Sequence, residues 1–148
     1  MTKNDLYAHC RAYVGQRIET ARSAMEAAQA SANEESKSSA GDKYETGRAM
    51  AQNERDRHAR LLTEALRLRD DLARLDPDKA TETVQPGSLV DTDRGWFYVA
   101  LSIGKATVAG QDVFIISQAS PIGSALHLRR AGDEIVFNRM TYRIRAVF

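Results

Sequence analysis

A single cysteine, Cys10, excludes an intrachain disulfide and a cysteine-built zinc site, and it fits a reducing compartment. No apolar stretch approaches the roughly 18 residues of a membrane-spanning helix. The opening Thr2-Lys3-Asn4-Asp5 is not followed by a signal-peptide core. The expectation is therefore a cytoplasmic protein with no membrane partner. Charge of one sign is also lacking. Lys and Arg number 21 against 20 Asp and Glu, and up to Asp76 there are 13 of each. Duplex binding driven by phosphate neutralisation does not fit such a balance as a main activity. There is no Gly-rich phosphate loop, nucleophile elbow or Ser/His/Asp arrangement. His9, His58 and His127 lack the spacing of metal ligands.

Proline is the most informative shortage. None occurs before Pro77, and the apolar residues of that half are mainly Ala and Leu, which favour helix. Val14, Ile18, Ala21, Met25, Ala28 and Ala32 recur at alternating spacings of four and three, the seam of a coiled coil, with Leu6, Tyr7 and Cys10 as a bulkier base. A second segment repeats the pattern with Leu61, Ala65, Leu68, Leu72 and Leu75. Residues 38–48 between them are polar and punctuated by Gly41 and Gly47, which reads as the tip of a helical hairpin. At 1.5 Å per residue, about 30 residues make a stalk of roughly 45 Å.

Asp76-Pro77-Asp78 stops the second helix, because a residue before proline is pushed out of the helical region. After Pro86-Gly87 the apolar residues become Val, Ile, Phe and Tyr, in runs at 88–91, 96–102, 113–117, 134–137 and 142–147 separated by turn signals. The fold class is thus α+β: an antiparallel coiled-coil hairpin at 1–76, a linker at 77–86, and a small antiparallel-sheet domain at 87–148. Residues 121–126 add a short helical segment across that sheet. Trp96, Phe97 and Tyr98 read as core plus one exposed ring, with a stacking platform as the alternative. Arg129, Arg130, Arg139, Arg143 and Arg145 read as solvated positions or a basic face.

Asp42 and Glu45 are the sharpest chemical feature. An acid three residues before Glu at a helix start is a capping-box pattern. The competing reading is a pair of carboxylates pointing out from the tip. Mg²⁺ is held by one or two carboxylates together with waters and phosphates, so such a pair is an incomplete site that a second macromolecule would complete.

Gly41-Asp42-x-x-Glu45 and, further on, Ser120-Pro121-Ile122-Gly123-x-Ala125-Leu126 followed by Gly132-Asp133 resemble the two signatures of the bacterial Gre transcript-cleavage factors. The resemblance covers nearly the whole chain and implies that the sheet domain is FKBP-like. It also implies a partner, RNA polymerase, whose secondary channel the coiled coil would enter. Asp42 and Glu45 would then assist in trans, helping to hold Mg²⁺ at the polymerase's own active centre so that a backtracked transcript is cleaved. The chain would be no enzyme itself and would need no cofactor of its own. A monomer is expected rather than an oligomer, with pairing of the Ala-rich seam between chains as the alternative. Ser120, Pro121 and Ile122 would lie on the polymerase-binding surface. The sequence departs from the family after Glu45, where Thr46-Gly47-Arg48 replaces Asn-Ala-acid, and Lys43 sits between the two acids. A cation there competes with a metal for carboxylate oxygens. Alternatively Arg48, with Arg55 and Arg57, steers the tip to the phosphates of the nascent RNA. Two further readings stand beside cleavage: a channel-binding regulator without cleavage activity, and a prolyl isomerase suggested only by the implied fold.

Overall fold

The computed structural model describes residues 1–36 and 41–148, with only the backbone of residues 35, 36 and 41–44. Two long helices, α1 (Lys3–Ser36) and α2 (Gly41–Ala73), form the antiparallel hairpin and are followed by a six-stranded sheet with one short helix. The chain divides into two compact units, Tyr13–Asp70 and a second made of Met1–Ala12 with Asp71–Phe148. Among the described residues no helix is long and apolar enough to cross a membrane.

The hairpin unit follows from its sequence period. Of the seam residues on α1, Val14, Ala21 and Ala32 are buried and Ile18, Met25 and Ala28 are half-buried, while Arg17, Glu19, Arg22 and Glu26 are exposed. On α2, Ala65 is buried and Leu68 half-buried. Leu61, at a seam position, is 40% exposed. Helices of 34 and 33 residues are each about 50 Å long at 1.5 Å per residue.

The second unit is built on β1 (Leu89–Thr92), β2 (Gly95–Val99), β3 (Gly104–Val108), β4 (Gln111–Ile116), β5 (Glu134–Phe137) and β6 (Met140–Val147), with α3 (Pro121–Leu126) between β4 and β5. The order across the sheet is β3-β4-β2-β1-β6-β5. The sheet is mixed rather than wholly antiparallel, since β2 and β4 run parallel, with Phe97 beside Phe114 and Tyr98 beside Ile115. The cause is β3, a sixth strand with no alternating apolar pattern. It carries the chain out to the sheet edge and returns through Ala109-Gly110, both at positive φ, so that β4, with Val113 and Ile115 fully buried, lies inside.

One face of the sheet packs Val90, Phe97, Val99, Ile135 and Ile144 with Leu126 of α3 and with Val84. The other face carries Leu89, Tyr98 and Ile115 in one row. The start of α1 belongs to this unit: Leu6 and Cys10 are fully buried, and Tyr98 lies close enough to Cys10 and Tyr7 to feel both. Lys3 Nζ donates to the Lys79 carbonyl at 2.5 Å, and Asn4 Nδ2 donates to Asp78 at 3.0 Å.

The stretch 77–86, expected as a linker, contributes packed residues. Val84 is fully buried and exchanges backbone hydrogen bonds with Leu128 and Arg129. Thr81 Oγ1 donates to the Phe148 carbonyl at 2.8 Å and lies 2.6 Å from Ser88 Oγ, which accepts from Gln85 N–H at 3.0 Å. These contacts are irregular, which is why no helix or strand period marks the segment.

Candidate functional site

The best-built local geometry is the turn from β4 into α3. Ser120 is the N-cap of α3, with φ −66° and ψ 157°, and Pro121 occupies the first helical position, where its missing N–H costs nothing. The Ser120 hydroxyl works in both directions. It accepts from Gly123 N–H at 3.0 Å and donates to the Ser117 carbonyl at 2.7 Å. Gly123 is buried, and a Cβ there would stand 2.1 Å from the Ser117 oxygen, so only glycine lets the helix approach this carbonyl. Gln118 Nε2 donates to the Gly123 carbonyl at 3.3 Å, closing the turn from the other side.

The expected polymerase-binding trio is therefore presented unevenly. Pro121 is exposed, Ile122 is half-buried against the core, and the Ser120 hydroxyl is used inside the turn. Sequence reading named Gly123 only within the signature at 120–126 and did not name Ser117. The Ser-Pro pair before a short apolar run, the signature of a capped helix start, is the signal that could have found this turn.

At the hairpin tip, α2 begins at Gly41, which puts Asp42 inside its first turn and Glu45 three residues on, on the same helix face. The Asp42 side chain lies outside the described residues, as do residues 37–40. Glu45 is exposed, and so is Arg48. As a metal set, positions 42 and 45 can supply at most two carboxylates from one face, which matches the partial protein share of a Mg²⁺ shell and not a complete cage. Among the described residues no group of three or more His, Cys, Asp or Glu is placed to hold a metal ion.

Farther along α2, Arg55 pairs with Asp56 at 3.2 Å and Arg57 with Glu54 at 2.7 Å. The Arg57 hydrogen bond and charge hold the Glu54 carboxyl below its usual range, with a smaller contribution from His58. Both arginines thus carry helix-borne counterions that an incoming phosphate would have to displace. The three aromatic residues in sequence on β2 divide between the faces. Phe97 stacks on Phe114 with centroids 5.4 Å apart and meets Tyr142 edge-on, while Trp96 stacks on Phe148 at 6.2 Å. Tyr98 is fully buried, its Oη has no hydrogen-bond partner among the described residues, and burial raises its pKa. Buried Phe97 and Tyr98 offer no ring face to a nucleic acid base.

No protein-family model matches this chain, and no curated protein matches it. Solved structures do match, among them the following two. The crystal structure of GreA factor homolog 1 of Thermus thermophilus is 21% identical over 92% of this chain and 92% of its own, with a TM-score of 0.36. A structure of the transcription factor Gfh1 is 22% identical over 91% of this chain and 90% of its own, with a TM-score of 0.35. With TM-scores below 0.5, these likenesses carry no inference about what the chain binds or does.

Proposed function

We propose that this chain is a Gre-like transcription elongation factor: it binds RNA polymerase through its sheet unit, and its hairpin enters the secondary channel. The observation that carries the reading is the pairing of two features. The Gly41-Asp42-x-x-Glu45 motif opens α2 at the connection of two helices of 34 and 33 residues, and the Ser120-Pro121-Ile122-Gly123 motif forms a capped turn. A slender hairpin unit of roughly 35–45 Å suits a narrow channel. It has no use for such length if its only task is to bury a core.

In this reading Asp42 and Glu45 contribute carboxylate oxygens to a Mg²⁺ that the polymerase holds, and the metal supplies the positive charge and activated water of phosphodiester hydrolysis. The chain's own part is to bring two negative charges to one face of a helix end and to exclude bulk water from the channel. It has no catalytic centre of its own. Pro121 and its neighbours on α3 contact the polymerase, and Arg48, Arg55 and Arg57 meet the phosphates of the nascent RNA.

The test is transcript release from stalled, backtracked polymerase complexes. Stimulation by the wild-type chain, lost in the Asp42→Ala/Glu45→Ala double variant, is the expected result. No effect on cleavage, with the double variant behaving as wild type, overturns it. The residues Lys43 and Arg48 favour a second reading, a channel-binding regulator that does not promote cleavage, because cations beside the acids compete for their oxygens. Such a regulator slows nucleotide addition without shortening transcripts.

A further inference from the structure

The hairpin unit contains a notch that its packing does not explain. Ala21 and Ala24 lie one turn apart on α1, and the residues facing them on α2 are His58 and Leu61, also one turn apart; together they border a groove of about 280 Å³. Two tiny side chains against two large ones leave space along the seam. Leu61, at a position whose period demands burial, is 40% exposed there. The polar residues bordering the groove are Gln16, Arg17, Thr20 and His58, and none of the bordering residues is acidic.

The geometry points to a binding site for a small amphipathic anion, its ring or short chain lying on Ala21, Ala24 and Leu61 and its anionic group against Arg17 and His58. Charge selects this occupant. The guanidinium of Arg17 spends one N–H on Tyr13 Oη at 3.0 Å, and its carbon lies 5.6 Å from that ring, so its other donors remain available at the groove. The acid in contact with His58 is Glu54, 3.4 Å from its Nε2, and that carboxylate already receives Arg57 at 2.7 Å. The second nitrogen of His58 has no partner among the described residues. Gln16 Nε2 donates to Thr20 Oγ1 at 3.2 Å along this edge of the groove. The volume is near the lower end of small-molecule sites, about 300 Å³. This site does not depend on the polymerase reading.

The test uses the full chain with two fluorescent probes of the same ring system, anilinonaphthalene sulfonate and its uncharged analogue phenylnaphthylamine. The sulfonate should bind about ten-fold more tightly than the neutral dye, the worth of one charge-assisted hydrogen bond. Arg17→Gln should remove that difference and leave the neutral dye unaffected. Ala24→Leu, which fills the notch with a good helix former, should abolish binding of both. Thr20→Phe, at an exposed border position, blocks the groove independently should the first variant fail to fold. Amide shifts in the wild-type chain should concentrate at residues 17, 21, 24, 58 and 61. Equal affinity for the two dyes, undiminished binding in the folded blocking variants, or shifts confined to the sheet unit would each overturn the proposal.

Discussion

In an ordinary helix Gly→Ala stabilises by up to about 1 kcal/mol, because glycine loses more backbone freedom on folding. At Gly123 the sign should reverse. Its backbone is not at positive φ, so alanine meets no torsional penalty there, and the whole effect lies in the approach to Ser117. A Cβ would sit 2.1 Å from that carbonyl oxygen, where ordinary contact starts near 3.4 Å, so helix or loop must move by about 1.3 Å. The same oxygen accepts from Ser120 Oγ at 2.7 Å and Ser120 N–H at 3.2 Å, and both bonds are lost if it moves that far. Overpacking costs about 1–3 kcal/mol and a lost N-cap about 1 kcal/mol. Set against the helix-propensity gain, the net loss is about 1–3 kcal/mol. Urea unfolding followed by the emission of Trp96, which stacks on Phe148 in the same unit, measures it directly. Ser120→Ala alone should cost about 1 kcal/mol. The double variant should cost less than the sum, because both changes disable one cap. A Gly123→Ala chain as stable as wild type, or more so, would refute the close approach on which the reasoning rests.

Two further expectations concern the rest of this unit. Val84→Ala should destabilise by about 1.5–3 kcal/mol in the same denaturation experiment, as for a fully buried side chain, whereas a solvated linker position would stay within about 0.5 kcal/mol. Burial pushes the Cys10 thiol up to about 12 from its ordinary 9.0, so the native state holds this proton more tightly than the unfolded chain does. The stabilisation is complete below the unfolded pKa and is lost as pH rises from 9.0 towards about 12. The melting temperature of wild type should therefore fall more steeply over that range than that of Cys10→Ala, and parallel curves would contradict the assigned burial.

The sequence by itself determined the elements whose apolar period is strong. The four-three spacing of Val14, Ala21 and Ala32 specifies one helix face, and among the described residues these three are the buried ones on α1 within the hairpin unit. The α+β class and the order of hairpin before sheet follow from the change from Ala and Leu to β-branched and aromatic residues. The short helix at 121–126 was legible as a brief apolar run, and its Ser120 cap emerged with the structure.

Tertiary structure alone decided what depends on distant partners. Strand β3 has one buried residue, Val108, and lies at a sheet edge, where no alternation is imposed, so its five residues carry no strand signature. The parallel pairing of β2 with β4 is a consequence of that unsignalled strand. Val84, Thr81 and Ser88 are held by hydrogen bonds to residues 40 or more positions away or across an irregular turn, and no period records such contacts. Leu61 shows the limit from the other side. Its spacing assigns it to the seam, but exposure there depends on the size of the residues facing it, and Ala21 and Ala24 are too small to cover it. Spacing specifies which face a side chain takes, and only packing against the opposite helix decides whether that face is closed.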